Sequence, residues 1–98
     1  MNPPYYAVIF TSVKSNFDEG YAEMAQKMED LAKQQAGFLG VESARNEVGI
    51  TVSYWKDLES IKYWKQNLDH IDAQKKGRSS WYEKYTVRIA LVEREYGF

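Results

Sequence analysis

The chain has 98 residues, no cysteine, a formal net charge of −1 and an aromatic content of 15%. This length predicts one domain over residues 1–98, and the lack of cysteine excludes disulfide scaffolds, thiolate metal sites and cysteine nucleophiles. The near-zero charge offers no general attraction for nucleic acid. No apolar run approaches the roughly 20 residues of a spanning helix, and no basic region followed by an apolar run opens the chain. We therefore expect a cytoplasmic protein with neither nucleic acid nor membrane as a partner.

In the first half of the chain, the spacing of apolar residues predicts two kinds of element. Alternating residues predict a strand over about residues 5–13, and apolar residues at three- and four-residue steps predict a helix over about residues 18–35. Gly37 is the expected C-cap of this helix. Two further strands, residues 38–45 and residues 50–55, are joined by a turn-rich segment and predict a hairpin.

The second half adds helical segments and a final strand. Asp57 is the predicted N-cap of a helix that carries Ile61 and Trp64 on one side. A separate short helical piece is expected over about residues 69–76, and a last strand over about residues 84–95. The order β-α-β-β-α-β predicts an α+β fold of the ferredoxin-like type, with both helices on one face of an antiparallel sheet.

The strands of this chain are apolar on both faces, which bears on assembly. The first strand alternates between two apolar sets, Tyr5, Ala7 and Ile9 on one face and Tyr6, Val8 and Phe10 on the other. In the last strand, Ile89 and Ala90 point to opposite faces. Two helices suffice for only one face, and monomers rarely expose a large apolar surface. We therefore predict a homodimer in which two sheets pack face to face.

The segment from Tyr54 to Tyr85 concentrates aromatic residues together with the single histidine, His70. Trp64, Asn67 and His70 follow one another at three-residue steps along the second helix. This spacing predicts a pocket between that helix and the sheet, suited to a flat aromatic ligand. In it, His70 would accept or donate a proton near neutral pH.

Structural roles account for the same residues. Trp64 also fits a core position on an apolar helical stripe, and His70 also fits a surface position or a helix cap. Trp81 and Tyr82 suit pocket walls, packing contacts or dimer contacts. Arg88, on the last strand, suits a partner chain, a carboxylate or a substrate anion.

Several kinds of site lack support in the sequence. Residues 37–40 contain two glycines but read as a helix-to-strand turn and not as a phosphate loop. The basic residues within 75–78 read as a solvated helix end and not as a nucleic-acid site. One histidine without cysteine predicts no protein-built metal site.

Three segments resemble a known family, the antibiotic biosynthesis monooxygenase domain: residues 36–42, residues 50–55 and residues 60–65. The likeness continues through His70 to Arg88 and so covers nearly the whole chain. It implies a dimeric α+β barrel. It also implies oxygenation of aromatic or quinol-type molecules without a cofactor, in which the electron-rich substrate itself reduces O₂.

The resemblance also implies roles for individual residues. Trp64 matches the tryptophan that the family carries on this helix and would form a pocket wall. Asn67 would donate a hydrogen bond and His70 would act as acid or base. Tyr54 and Tyr82 would line the pocket, with Trp81 and Arg88 as further substrate contacts.

Two rival functions stay open at this point. One is a non-catalytic module that holds a small hydrophobic ligand in the same pocket. The other is haem binding or degradation, which a branch of the family performs with an asparagine on the first strand, a tryptophan on the second helix, matched here by Trp64, and a histidine further along. Here Thr11 and Ser12 stand where that asparagine is expected, and Gln74 stands where the haem-ligating histidine is expected, which disfavours haem.

Overall fold

A computed structural model describes the backbone of residues 1–75 and 81–98 and the side chains of residues 1–70 and 81–98. Its elements are β1 (Tyr5–Lys14), α1 (Tyr21–Lys33), β2 (Phe38–Arg45), β3 (Gly49–Trp55), α2 (Leu58–Lys75) and β4 (Tyr82–Val92). The four strands form one antiparallel sheet in the order β2-β3-β1-β4. The predicted ferredoxin-like α+β fold is thereby confirmed. Within the described residues, no helix is both long enough and apolar enough to cross a bilayer.

The first helix is shorter than predicted, and Gly37 does not cap it. α1 ends at Lys33 and its C-cap is Gln34, which keeps a right-handed helical conformation. Gly37 is buried and packs closely against Ser60. A Cβ at position 37 would lie 2.1 Å from the Oγ of Ser60. The missing side chain therefore lets the start of α2 approach the turn between α1 and β2.

The second helix begins as predicted but is not interrupted. The N–H of Ser60 donates to Asp57 Oδ1 at 2.8 Å, which confirms Asp57 as the N-cap. Ile61 and Leu68 are both buried, so one apolar stripe runs up to the predicted break near residue 69. No glycine or proline lies between residues 58 and 75, and α2 therefore runs unbroken to Lys75.

Strand register decides which side chains share a face of the sheet. Tyr6 lies opposite Trp55 on β3 and Leu91 on β4, and Val8 lies opposite Ile89. Directly opposed residues of antiparallel strands point to the same side. We call the side that carries Val8 and Trp55, where the helices pack, the helix face, and the other side the open face.

The large exposed apolar residues of β4 lie on the helix face, contrary to the sequence-based argument. Tyr5 and Ala7 sit on the open face, yet each is only 4% exposed within one chain. The exposed set on β4 is Tyr85, Val87, Ile89 and Leu91, with exposed fractions of 43, 47, 51 and 49%. The helices pack over β1, β3 and the first residue of β4, and leave the rest of this edge strand exposed from Tyr85 onward. The uncovered apolar surface that the sequence predicts is therefore concentrated on the helix face of β4.

Two aromatic clusters divide the helix face between them. The tryptophan cluster consists of Val8, Ala32, Trp55 and Ile61 with the partly buried Tyr6, Phe38 and Trp64 packed against them. The tyrosine cluster consists of Met24, Trp81 and Tyr82 with the partly buried Phe10, Tyr21 and Met28. Along β1, the first contains Tyr6 and Val8 and the second contains Phe10, so the two clusters follow each other along the central strand.

Candidate functional site

Trp64 carries a buried donor that has no partner among the residues whose side chains are described. α2 turns this side chain toward the sheet, where its ring centre lies 4.9 Å from that of Trp55 at an interplanar angle of 32°. The Nε1 atom of Trp64 is buried and makes no hydrogen bond with any described residue. A buried donor left unpaired costs about 1–3 kcal/mol. The acceptor oxygen of a bound molecule would remove that cost.

The N–H groups of the other two indoles both donate hydrogen bonds to other atoms of the chain. Trp55 Nε1 donates to Ser53 Oγ at 2.8 Å, and Trp81 Nε1 donates to the backbone carbonyl of Glu19 at 2.8 Å. Trp55 and Trp81 are 0% and 6% exposed. Trp64 is therefore the exception among three tryptophans, and its environment differs from that of an ordinary core indole.

Asn67 and His70 share α2 with Trp64 but are exposed. Asn67 Nδ2 donates to the backbone carbonyl of Tyr63 at 3.1 Å, one turn back along the helix. The three-residue steps predicted from the sequence exist in the unbroken helix. The structure nevertheless turns only Trp64 toward the sheet and does not pair Asn67 with the indole.

Trp81 and Tyr82 are buried against α1. The ring of Tyr21 makes edge-to-face contacts with both, at centroid distances of 6.1 Å to Trp81 and 5.8 Å to Tyr82. The hydroxyl of Tyr82 donates to that of Tyr21 at 3.4 Å. These two predicted site residues therefore belong to the tyrosine cluster.

A depression of about 260 Å³ adjoins this cluster at the start of α1. It is lined by Gly20, Glu23, Met24, Lys27 and Trp81. Ligand pockets usually enclose about 300–1,000 Å³, so this depression by itself is small for a polycyclic molecule.

Tyr54 and Arg88 lie on the open face, away from the other predicted site residues. Tyr54 is opposite Ala7, and Arg88 is opposite Ile9. Burial and a hydrogen bond to the Glu42 carboxylate raise the pKa of Tyr54. Tyr54 and Arg88 therefore lie on the opposite side of the sheet from Trp64 and share no site with it within one chain.

A second phenol on the open face, Tyr5, was absent from the sequence-based site. Its hydroxyl donates to the Glu95 carboxylate, and its ring lies 5.8 Å from that of Tyr54. The hydrogen bond to Glu95 raises the pKa of Tyr5 to about 12. Tyr5 and Tyr54 thus form a pair of neutral phenols held by carboxylates on the face opposite Trp64.

Two residues on the helix face were also missed. Arg45, the last residue of β2, donates to the hydroxyl of Ser12, which is 2% exposed. The guanidinium carbon of Arg45 lies 6.0 Å from the ring centre of Tyr82. The sequence carries one signal for this contact, a glycine at position 49 across the hairpin from an arginine, but only the strand register connects them to Ser12.

The positions that bear on haem are only partly described. Ser12, one of the two residues in place of the expected asparagine, is buried and engaged with Arg45. The side chain of Gln74 lies outside the described residues. Of these two positions, only Ser12 has a described side chain, and it offers no haem ligand.

Comparison with known proteins identifies the relatives of this chain. The model of the family described as antibiotic biosynthesis monooxygenase matches residues 4–76. A Bacillus subtilis protein described as uncharacterized protein YqjZ is 56% identical over 95 residues, covering 95% of this chain and 83% of the relative.

Solved structures show the same fold at low sequence identity. SnoaB, described as a cofactor-independent oxygenase from Streptomyces nogalater, superposes with a TM-score of 0.67 at 11% identity, covering 97% of both chains. A protein of unknown function from Nitrosomonas europaea superposes with a TM-score of 0.68 at 8% identity, covering 95% of this chain and 93% of its own.

Proposed function

Because the chain belongs to the antibiotic biosynthesis monooxygenase family, we propose that it is a cofactor-independent monooxygenase acting on a small aromatic or quinol-type molecule. The likeness to SnoaB, which is described as a cofactor-independent oxygenase, supports the proposal at the level of the fold. The proposed substrate lies between α2 and the sheet, beside Trp64. A cytoplasmic location is part of the same proposal.

The observation that carries the proposal is the unpaired, buried N–H of Trp64. An indole N–H only donates, so its natural ligand partner is an oxygen with free lone pairs. A ring hydroxyl, ketone or enolate oxygen on an aromatic substrate meets that requirement. The neighbouring Trp55 ring, at 4.9 Å, makes this corner aromatic as well as polar.

In the proposed chemistry, the substrate itself supplies the electrons that reduce O₂. With anthrone as the example, the ring CH₂ loses a proton and the resulting enolate passes electrons to O₂. One oxygen atom ends as the new ketone and the other leaves as water with the two hydrogens of the CH₂ group. Trp64 would hold the enolate oxygen, Asn67 would add a donor, and His70 would accept the proton.

O₂ uptake with a panel of anthrones and hydroquinones, without added metal or flavin, tests this proposal. We expect uptake with at least one panel member, and a loss of about tenfold or more in kcat/KM for Trp64→Phe, which keeps a ring but removes the donor. The matched control is Tyr63→Phe, since Tyr63 is 59% exposed on the same helix. No uptake with any panel member would contradict the proposal.

The two rival functions give different results in the same assays. Binding of a panel member without O₂ uptake would support a non-catalytic ligand-binding module. A Soret band on mixing with haem that disappears in His70→Ala would support haem binding instead.

The proposal includes a homodimer. The exposed apolar residues of β4, among them Ile89 at 51%, give a single chain reason to associate. Ile89 faces the helix side and its neighbour Ala90 the open side, so Ile89→Asp and Ala90→Asp probe both surfaces. We expect at least one of the two substitutions to yield folded monomers by light scattering. An unchanged dimer for both, or a monomeric parent protein, would refute this assembly.

A further inference from the structure

The side chain of Arg45 crosses the helix face through space that is open because residue 49 is a glycine. Arg45 pairs with Gly49 at the turn end of the hairpin, and a Cβ on Gly49 would lie 2.1 Å from the Nη2 atom of Arg45. Any side chain at position 49 would therefore displace the guanidinium. With glycine there, Nη2 reaches the hydroxyl of Ser12 on β1, a residue that is 2% exposed.

Among the described residues, no carboxylate forms an ion pair with Arg45, whereas a neighbouring cation has one. The Nζ of Lys14 lies 4.5 Å from the ring centre of Tyr21, and Lys14 forms an ion pair with Asp18. Arg45 lies over Tyr82, the hydrogen-bond partner of Tyr21, but forms no ion pair with any carboxylate of the described residues. The paired tyrosines are thus flanked by two cations, of which only Lys14 is neutralised.

The surroundings of Arg45 suit the remainder of an aromatic molecule. Tyr82 and Tyr85 lie edge to face at 5.9 Å, and the Phe10 ring lies 5.3 Å from that of Tyr85. Tyr85 is 43% exposed, and Arg45 is exposed as well, so both can be reached from solvent. An accessible cation fixed by one hydrogen bond stands here beside an accessible aromatic surface.

We propose that Arg45 is a substrate-recognition residue that binds a carboxylate carried by the aromatic ligand, whose ring packs on the exposed Tyr85. A guanidinium has five N–H donors in a planar fork, and the bond to Ser12 occupies only one. The others match the two oxygens of a carboxylate. The inference rests on the aromatic ligand of the proposed function and narrows its class to aromatic acids.

Fluorescence titration with two probes of the same shape tests the inference: anthracene-2-carboxylate and the neutral anthracene-2-carboxamide. We expect the acid to bind more tightly, and Arg45→Gln to lower its affinity about tenfold or more while leaving the amide unaffected. Arg45→Lys keeps the charge but loses the fork, so its affinity for the acid should be intermediate. The matched control is Arg94→Gln, which removes an exposed arginine beyond β4 and should change neither affinity.

Gly49→Ala provides an independent variant, since it displaces the guanidinium and leaves the arginine in place. It should weaken binding of the acid as Arg45→Gln does, with folding checked by circular dichroism. Equal binding of the two probes by the parent protein, binding of neither, or undiminished acid binding in folded Arg45→Gln would each overturn the inference. If Arg45→Gln does not fold, the acid-to-amide ratio of Arg45→Lys decides by the same criterion.

O₂ uptake with anthrone, measured on the same variants, separates this inference from the proposed function. Anthrone turnover without a preference for the acid would sink the inference and leave the oxygenase proposal standing. Acid binding that depends on Arg45, with no uptake by any panel member, would sink the oxygenase proposal and support the inference.

Discussion

The tryptophan and tyrosine clusters lie on the same face of one sheet but differ in whether their polar atoms form hydrogen bonds. In the tyrosine cluster the polar ends have protein partners: Trp81 donates to the Glu19 carbonyl and Tyr82 to Tyr21. In the tryptophan cluster, Trp55 is fully buried and paired, whereas Trp64 is packed against it with its N–H unpaired.

This difference shows which cluster would gain a missing hydrogen bond from a ligand. Only the tryptophan cluster contains a buried donor without a described partner. An unpaired buried donor destabilises the folded chain, and a ligand that supplies an acceptor removes this destabilisation. The tyrosine cluster has no such donor among its described residues, and it offers an aromatic surface beside Arg45, a cation with no ion pair in the described part of the chain. The tryptophan cluster is thus suited to hold a ligand oxygen, and the tyrosine cluster to bind an aromatic acid.

The largest expected effect is on the stability of the tryptophan cluster. Trp55→Ala removes a side chain that is 0% exposed and should lower the free energy of unfolding by about 3–5 kcal/mol. Urea denaturation measures it. Tyr63→Ala, at 59% exposure, is the control and should change stability by less than about 0.5 kcal/mol. Similar losses for the two variants would contradict the placement of Trp55.

A moderate effect is expected where α2, which carries Trp64, approaches the chain before β2. Gly37→Ala would place a Cβ 2.1 Å from Ser60 Oγ and should destabilise the protein by about 1–3 kcal/mol. In a Ser60→Gly background the same substitution should cost clearly less, because the clashing atoms are gone. Equal costs in the two backgrounds, measured by urea denaturation, would rule out this contact.

A smaller effect sharpens the contrast between paired and unpaired indoles. Phenylalanine at position 55 or 81 removes an indole that donates a hydrogen bond, whereas Trp64→Phe removes one that does not. The first two should therefore lose about 1 kcal/mol more than Trp64→Phe in free energy of unfolding. If Trp64→Phe proves as costly as Trp81→Phe, the Trp64 donor is paired in solution.

The smallest effect concerns the cap that starts α2. The backbone N–H of Ser60 holds the pKa of Asp57 below its usual value. Because the folded pKa is the lower one, the carboxylate stabilises the fold above its unfolded pKa of about 3.9, and this stability is lost as the pH falls through the folded pKa.

Asp57→Asn keeps a capping side chain but removes the titration, so it should reduce the loss of Tm on acidification. Thermal melts from about pH 7 down to about pH 2 compare it with the parent protein. Identical acid dependence of Tm in the two proteins would show that Asp57 is not the titrating cap.

Local pattern was enough to predict most of the fold. The alternation of apolar residues predicted β1 to within one residue of its end, and the turn-rich segment predicted the hairpin. The sequence-based interpretation placed a separate helical piece after residue 69, but α2 runs unbroken from Leu58 to Lys75, and Leu68 is buried just before that point. Packing between distant segments therefore decided the length of this helix.

The parts that escaped prediction depend on register and on coverage. Period-two alternation shows that both faces of β4 are apolar, but not which face the helices leave uncovered. The contact of Arg45 with Ser12 joins residues 33 apart in sequence and needs the gap at Gly49. Trp64 was visible as part of a helical stripe, whereas its unpaired N–H follows from the full three-dimensional surroundings.

The indole N–H resonances of the three tryptophans test the central claim most directly. In a ¹⁵N-labelled protein titrated with a panel member that binds, the Trp64 resonance, assigned through Trp64→Phe, should shift downfield as its donor gains an acceptor. The resonances of Trp55 and Trp81, whose donors are already paired, should move much less. A bound ligand that leaves the Trp64 resonance in place while shifting that of Trp55 or Trp81 would contradict the account.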